Sequence, residues 1–405
     1  MPTIVLRARE GAAPRVTSME LFFDLVYVFA VTQLSQKLLG HLTARGAIET
    51  LVLFGAVWWA WNYTAWATNW IDPDRLPVRV LLAVLMLLSL VMSASIPEAF
   101  ADRALPFALA YVAIQLLRSG FMVVAFRGRV MGRNFAQLLA WSAIAGVVWI
   151  AGAGVEGDAR LAVWIAALAI DLAAPMHGFW LPRLGSTPMA DWTLAGGHLA
   201  ERCQLVVIIA LGESILVTGQ VFSDLAVGAA EAAAFFVAFL GSLMLWWVYF
   251  ARDAEEGVRV IAGAARESTR FGRTGYTYAH AAMVAGIIVT AVADELVIAH
   301  PSGGVSAAAA WVTLGGPAIY LAGNALFNRT ILGRPPVSRL VAIAALALLA
   351  AVAPAVSPLG LSAAATAVLV ALAVSDVLVR RVPRGPGALV ADPAATMRGT
   401  GGAER

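Results

Sequence analysis

The sequence predicts an all-α membrane protein, a bundle of about twelve transmembrane helices, and three observations support this. Of the 405 residues, 60% are hydrophobic and only 13% are charged, with a mean hydropathy of +0.80, whereas soluble globular chains are about 45–50% apolar and about 25% charged. Apolar runs of the length that crosses a bilayer, roughly 20 residues, recur along the chain. Basic residues lie in the short segments between these runs and form no single basic face, so we expect a lipid bilayer and no nucleic acid as partner.

Each apolar run is assigned one helix. The predicted spans are 19–38, 47–69, 79–97, 105–126, 136–154, 160–180, 197–219, 229–250, 276–298, 306–328, 338–354 and 359–379. The predicted organisation is a cytoplasmic segment 1–18, helices 1–6 over 19–180, a cytoplasmic connection 181–196, helices 7–12 over 197–379 and a disordered cytoplasmic tail 380–405.

The distribution of basic residues predicts the orientation. With the N-terminus in the cytoplasm, 22 of the 28 lysines and arginines fall in inside segments and 4 outside, while Arg118 and Arg202 lie within spans. Positive residues favour the cytoplasmic side, so this split predicts a cytoplasmic-membrane protein with both termini inside. Tryptophans, whose rings favour the membrane interface, crowd the inner ends of spans 2 and 8: Trp58, Trp59, Trp61, Trp66, Trp70, Trp246 and Trp247.

The two halves of the chain show a weak internal similarity. The segment from Gly55 to Trp61 in span 2 resembles the segment from Gly241 to Tyr249 in span 8. Six plus six helices related in this way would form a parallel repeat, as in many transporters.

Glu20 and Asp24 form an acidic pair at the start of span 1. They are four residues apart, so they share one face of the helix. Two carboxylates so placed repel each other unless one is protonated, or a cation or an arginine joins them. They are therefore either a cation or proton site, or an acidic pair at the inner end that faces the headgroups and pairs with Arg15.

Span 7 carries the polar turn His198, Glu201 and Arg202, followed by Glu213, the deepest acid of the chain. Glu213 lies eleven residues beyond Arg202, roughly 16 Å along the helix, so the two cannot pair directly. Glu213 is predicted to bind a proton or cation, or else to be a buried, protonated and hydrogen-bonded glutamate. His198 and Glu201 have the i, i+3 spacing of a metal site, but no second ligand pair is visible, and an Arg–Glu pair that gates the helices is the simpler interpretation.

His280 and Glu295 lie towards opposite ends of span 9 and are candidates for a proton relay, because histidine changes its charge in the physiological pH range. Hydrogen bonding at the interface is the alternative. Asp376 is predicted to pair locally with Arg380 at i+4. The single cysteine, Cys203, is interpreted as a packing residue.

A series of ordered motifs over about residues 15–330 resembles a known family. The motifs are Met19–Ala30, Trp58–Trp61, Asp72–Pro77, Ile96–Phe100, His198–Arg202, Ile208–Ser214, Trp246–Phe250, Tyr278–His280, Ala285–Ile287, Glu295–Pro301 and Gly316–Tyr320. Together they resemble the bacterial low temperature requirement A family of integral membrane proteins. The family pattern often has an acid directly after the aromatic pair of span 8; here Ala251-Arg252-Asp253 shifts that acid. The resemblance implies a multi-pass inner-membrane protein and does not imply a substrate.

The sequence therefore favours a secondary transporter or ion-conducting protein for a proton, cation or small molecule. Glu213 would bind the ion, Arg202 and Glu201 would gate it, Glu20 and Asp24 would form the corresponding site of the other half, and His280 with Glu295 would add the relay. Two alternatives remain: a structural or regulatory membrane protein, and a membrane-embedded enzyme for an apolar substrate using His198, Glu201 and Glu213. No motif in the sequence predicts a cofactor or a metal site.

Overall fold

The computed structural model describes residues 5–7, 16–187, 192, 195–224, 228–251, 253–263 and 272–381, and all regular structure within them is helical. The all-α prediction is thus confirmed for this part of the chain. The helices are α1 (Ser18–Gly40), α2 (Ala44–Ala67), α3 (Leu76–Ala94), α4 (Ala104–Ala125), α5 (Val130–Ala153), α6 (Gly157–Met176), α7 (Gly196–Asp224), α8 (Ala229–Phe250), α9 (Asp253–Gly263), a π-helical segment (Gly272–Ala279), α10 (His280–Ala299), α11 (Ala307–Thr330), α12 (Val337–Leu349), a 3₁₀ turn (Ala353–Ala355) and α13 (Pro358–Arg381).

Nine helical stretches among the described residues are long and apolar enough to cross a membrane. They are α1, α3, α4, α5, α6, α7, α8 continued through α9, the π segment continued through α10, and α13. A helix overlaps each of the twelve predicted spans, but α2 and α11 are not among these nine stretches and α12 has only 13 residues. Twelve spans and the six-plus-six repeat therefore remain predictions, as does the organisation into segments. Arg15 and residues 382–405, most of the predicted tail, lie outside the described residues.

The beginning of α1 is fixed by a capping box. Thr17 Oγ1 accepts the backbone N–H of Glu20 at 3.3 Å, and Glu20 Oε2 accepts the backbone N–H of Thr17 at 2.9 Å. Each side chain thereby satisfies a backbone donor that the first helical turn leaves free. The short segment 5–7 pairs with residues 70–72 through the backbone bonds Arg7 N to Trp70 O, 3.0 Å, and Asp72 N to Val5 O, 2.9 Å. We call this end of the bundle, where α1 begins, the start face.

Helix α1 is surrounded by helices from both halves of the chain. It packs against α2 and α3, and also against α7 and α10. Helices α10 and α11 approach each other closely: a Cβ on Gly286 would lie 2.5 Å from Tyr320 N and 2.8 Å from Gly316 O. Glycine is needed there because two backbones touch, as is common between membrane helices. The packing of α1 on α7 and α10 brings residues far apart in sequence into one site.

Most tryptophans of α2 and of the turn that follows it are buried in the protein. Trp58, Trp59, Trp61 and Trp70 are each at most 4% exposed, so they do not form the lipid-facing belt that their position in the sequence suggested. The pair at the end of α8 is 39% exposed and retains that interpretation. Most residues of α2 are buried against the rest of the protein.

Candidate functional site

A buried ionic cluster joins the beginnings of α1 and α7. The guanidinium of Arg202 donates from Nε to Asp24 Oδ2 at 2.9 Å and from Nη2 to Asp24 Oδ1 at 2.5 Å. Its Nη1 donates to Glu20 Oε1 at 3.3 Å and to Thr68 Oγ1 at 3.1 Å. The indole N–H of Trp61 donates to Asp24 Oδ1 at 2.7 Å. An arginine therefore joins the two carboxylates of α1, one of the three arrangements that their spacing allows.

His198 completes the cluster as a neutral side chain. Asn69 is oriented by the backbone of Ala195, since its Nδ2 donates to the carbonyl at 3.0 Å and its Oδ1 accepts the N–H at 2.7 Å. The same Nδ2 faces His198 Nδ1 at 3.4 Å, so Nδ1 must be an acceptor. The ring proton then lies on Nε2, which donates to Glu20 Oε1 at 2.8 Å.

The cluster is electrically balanced. Besides Arg202 and His198, Glu20 binds Arg7, whose Nη2 lies 3.1 Å from Glu20 Oε2. Among the described residues, two carboxylates therefore face two guanidinium groups, and their formal charges cancel. Burying charged groups is costly unless they are paired and hydrogen-bonded, and every member here is both. This arrangement supports a structural role for Glu20 and Asp24, because it needs no additional cation.

Arg202 binds Asp24, Glu20 and Thr68, whereas Glu201 was predicted as its partner in a gate. Glu201 is only half-buried and accepts the backbone N–H of Val16 at 3.1 Å. The two sites predicted for the two halves, Glu20 with Asp24 and the polar turn of α7, are in contact because α1 packs on α7.

Glu213 lies deeper in α7 and is 8% exposed. Its Oε1 is hydrogen-bonded to the Thr32 hydroxyl of α1. Thr32 Oγ1 also lies 3.1 Å from the carbonyl oxygen of Val28, a second acceptor. Within the described part of the chain, no basic side chain forms an ion pair with Glu213. Its environment thus differs from that of Glu20 and Asp24, whose charges are matched by arginines.

His280 occupies an aromatic cage. Its Nδ1 donates to the carbonyl oxygen of Gly275 at 3.0 Å, so Nε2 accepts the Tyr249 hydroxyl at 2.8 Å. The ring stacks on Tyr276 at 5.3 Å between centroids and meets the edge of Phe327 at 5.4 Å. Both nitrogens are satisfied in the neutral form, which favours hydrogen bonding over proton transfer.

Glu295 lies far from His280. The two are fifteen residues apart on one helix, roughly 22 Å, so they do not form a direct relay. Glu295 Oε2 instead accepts an N–H of Gln36 on α1 at 3.1 Å.

A second ionic cluster, which the sequence reasoning missed, lies where α9, α11, α12 and α13 meet. Asp253 Oδ2 accepts from Asn328 at 2.7 Å, from Asn324 at 3.2 Å and from Arg339 at 3.3 Å. Arg339 also donates to Asp376 Oδ1 at 2.7 Å. Asp376 was predicted to pair locally with Arg380, whose side chain lies outside the described part of the structure; among the described side chains it pairs with Arg339 of α12. The i, i+4 spacing of Asn324 and Asn328 places two amide side chains on one face of the helix, and this pattern in the sequence could have indicated a buried polar site.

The described residues contain no group of three or more His, Cys, Asp or Glu side chains placed to hold a metal ion. The metal pair considered for His198 and Glu201 is not formed, because the imidazole nitrogens are hydrogen-bonded to Glu20 and Asn69. Cys203 is buried, and its thiol donates to the carbonyl oxygen of Tyr276 at 3.4 Å, consistent with a packing role.

The apolar helices and the buried ionic clusters between them define a polytopic α-helical membrane protein. The chain matches the family described as bacterial low temperature requirement A protein (LtrA) over residues 15–374, and it belongs to that family. It is 37% identical over 330 residues to "Uncharacterized protein RA0937" of Rhizobium meliloti (strain 1021), an alignment that covers 80% of each chain. No solved structure matches the chain.

Proposed function

We propose that this protein is a secondary transporter coupled to a proton or another cation, and that Glu213 is the residue that binds the coupling ion. The observation that carries the proposal is the environment of Glu213: a nearly buried carboxyl group in a membrane helix whose described partner is the neutral hydroxyl of Thr32. An ionisable group in the membrane interior is costly and usually marks an ion or substrate pathway.

Thr32 offers Glu213 two hydrogen-bond arrangements. The hydroxyl has one proton and two nearby acceptors, the Val28 carbonyl oxygen and Glu213 Oε1. When Glu213 is ionised, the hydroxyl donates to the carboxylate. When Glu213 is protonated, the carboxyl group donates to Thr32 Oγ1, and the hydroxyl turns to Val28. Loss or gain of one proton thus changes a contact between α7 and α1, the kind of two-state element that coupling requires.

The ionic cluster would keep α1 and α7 together while this contact changes. Asp24 and Thr32 are eight residues apart on α1, roughly 12 Å along the helix. Arg202 holds Asp24 through two charged hydrogen bonds at the start face, whereas the contact at Thr32 involves one hydroxyl. Movement between the helices is therefore expected at the level of Glu213 and not at the cluster.

We propose, from the distribution of basic residues, that the protein lies in the inner (cytoplasmic) membrane and that its start face is on the cytoplasmic side. The turns 68–75 and 126–129 lie at this face, and they carry arginines at 75, 127 and 129. Positive residues in short loops favour the cytoplasmic side. Both termini would then be cytoplasmic.

The test is flux in sealed proteoliposomes that contain a pH dye, with proton, Na⁺ and K⁺ gradients imposed in turn. We expect wild-type flux that is lost in Glu213→Gln, because the amide keeps the size of the side chain but binds no ion. The matched control is Glu231→Gln, which alters a half-buried acid at the beginning of α8, where the side chain accepts the backbone N–H of Gly228, and should retain flux. Undiminished flux in Glu213→Gln would remove Glu213 from this role.

A structural or regulatory membrane protein is the second candidate, and the observation that favours it is the charge-balanced cluster of Glu20, Asp24, Arg202 and Arg7. Such a cluster specifies how α1 packs on α7 without binding a ligand. Correctly folded wild-type protein that supports no flux under any gradient would favour this function over ion transport.

A further inference from the structure

A pocket lined largely by aromatic side chains lies on the opposite side of α2 from the ionic cluster. The space between its side chains, including the part that is open to solvent, is about 530 Å³, and eight of its thirteen lining residues are aromatic. None of the thirteen is an aspartate or a glutamate. We call it the aromatic pocket; the lining residues used below are Trp59, Asn62, Tyr63, Trp66, Arg118 and Thr277.

Arg118 of α4 brings a buried positive charge to this pocket. Arg118 is only 2% exposed, and its guanidinium group lies 5.2 Å from the centre of the Tyr63 ring. Nη2 donates to Gln115, whereas Nη1 has no hydrogen-bond partner among the described residues. A buried guanidinium N–H without a partner is costly, so it is a site where a ligand acceptor would bind favourably.

No carboxylate of the described chain forms a direct ion pair with Arg118. The nearest one along the hydrogen-bond network is Asp171, reached through two intervening side chains. Gln115 donates to the Tyr111 hydroxyl at 2.9 Å, and that hydroxyl donates to Asp171 Oδ2 at 2.7 Å. Asp171 also accepts from Trp149 at 3.0 Å. Its charge is thus held by neutral donors, and the guanidinium keeps one edge for an anion.

The other polar atoms of the pocket add further donors. The indole N–H of Trp66 is buried and makes no hydrogen bond in the described part of the chain. Asn62 Oδ1 accepts the Thr277 hydroxyl at 3.1 Å, which leaves the N–H₂ group of this side chain as a donor. The π-helical segment positions Thr277 for this contact, and such segments are frequent at functional sites.

We propose that the aromatic pocket binds an organic anion with a flat unsaturated body, specifically an aromatic carboxylate. Arg118 Nη1 and Trp66 Nε1 would donate to the carboxylate, while the aromatic side chains contact the ring. Charge-assisted hydrogen bonds from arginine to carboxylate are among the strongest in proteins, and aromatic pairs favour stacked or edge-to-face contacts. The inference that this anion is the transported substrate rests on the proposed function. The inference that the pocket binds it is independent of that function.

The test is isothermal titration of the purified full chain in detergent with two probes of similar shape, 1-naphthoate and the uncharged 1-naphthamide. We expect 1-naphthoate to bind more tightly than 1-naphthamide, and Arg118→Gln to weaken 1-naphthoate roughly tenfold or more, since one charged hydrogen bond is lost. Binding of 1-naphthamide should not change. The matched control is Arg160→Gln, which alters a buried arginine near the other end of the bundle that donates to backbone carbonyl oxygens at 2.8 and 3.0 Å.

Three results would overturn the proposal: no binding of 1-naphthoate to folded wild type, equal binding of the two probes, or equal binding of 1-naphthoate to wild type and Arg118→Gln. Should Arg118→Gln fail to fold, Trp66→Phe provides a second test, because it keeps an aromatic ring at this position and removes the indole N–H. Trp66→Phe should weaken the binding of 1-naphthoate several-fold, and an unchanged affinity would contradict the proposed site. Equilibrium binding needs no ion gradient, so the two proposals are tested separately. A failure of 1-naphthoate to bind would not contradict Glu213-dependent flux, and an absence of flux would not contradict binding in the aromatic pocket.

Discussion

Replacing Arg202 by glutamine should strongly destabilise the folded protein. Arg202 makes four hydrogen bonds, two to Asp24, one to Glu20 and one to Thr68. Without them, Glu20 retains Arg7 and other donors, but among the described residues Asp24 keeps only the Trp61 N–H at 2.7 Å. Removing one partner of a buried ion pair costs about 3–5 kcal/mol, because the remaining charge is left uncompensated.

The same reasoning predicts a rescue. In Arg202→Gln, the further change Asp24→Asn removes the stranded charge and keeps an oxygen for the Trp61 N–H. It should recover about 2 kcal/mol of the loss, a coupling within the usual range for neighbouring residues. Arg160→Gln is the matched control: that arginine bonds to backbone carbonyl oxygens, so its loss leaves no buried charge and should cost about 1–2 kcal/mol.

The assay is the apparent unfolding temperature in detergent, followed by tryptophan fluorescence and by the fraction of protein that remains monodisperse after heating. The expected order of stability is wild type, Arg160→Gln, the double variant and Arg202→Gln. If Arg202→Gln were as stable as Arg160→Gln, or if adding Asp24→Asn gave no recovery, the cluster would not be the compensated buried ion pair described above.

Two further predictions concern packing and orientation. Gly286→Ala should lower the free energy of unfolding by about 1–3 kcal/mol through overpacking, because its Cβ would lie 2.5 Å from Tyr320 N. The control is Gly212→Ala, whose Cβ would have nothing within 4 Å and which should melt at or above the wild-type temperature. Similar melting temperatures of the two variants would refute the close contact. In a cysteine-free background, Asp102→Cys should react with a membrane-impermeant maleimide on intact cells and Asp74→Cys only after permeabilisation. The reverse pattern would invert the proposed orientation.

The helices were largely predictable because a membrane leaves the backbone few choices. Within lipid every backbone N–H and C=O must be bonded inside the segment, so an apolar run of sufficient length becomes a helix. The span predicted at 47–69 is observed as Ala44–Ala67, and that at 197–219 as Gly196–Asp224. The ends were less accurate, because polar residues and caps extend helices beyond the apolar run.

The pairing of the charges was not predictable from local spacing. Helical periodicity places Glu20 and Asp24 on one face, but it does not say which helix packs there, and their partner Arg202 lies 178 residues beyond Asp24. One local signal was available: Thr17 followed three residues later by Glu20 is the pattern of a capping box. It shows that Glu20 turns back towards the helix start, where Arg7 also binds it.

Helix α2 is the element through which the aromatic pocket and the proposed ion site would communicate. Trp61 donates to Asp24 in the cluster that joins α1 to α7, while the next residue, Asn62, lines the pocket. A ligand that displaces Asn62 would therefore act on α1, which carries Thr32 and its contact with Glu213. Linkage makes such coupling reciprocal: if an anion in the pocket changes ion affinity at Glu213, the ion changes anion affinity by the same factor. If the proposed transport is coupled in this way, α2 and α1 move together and the cluster between them stays intact.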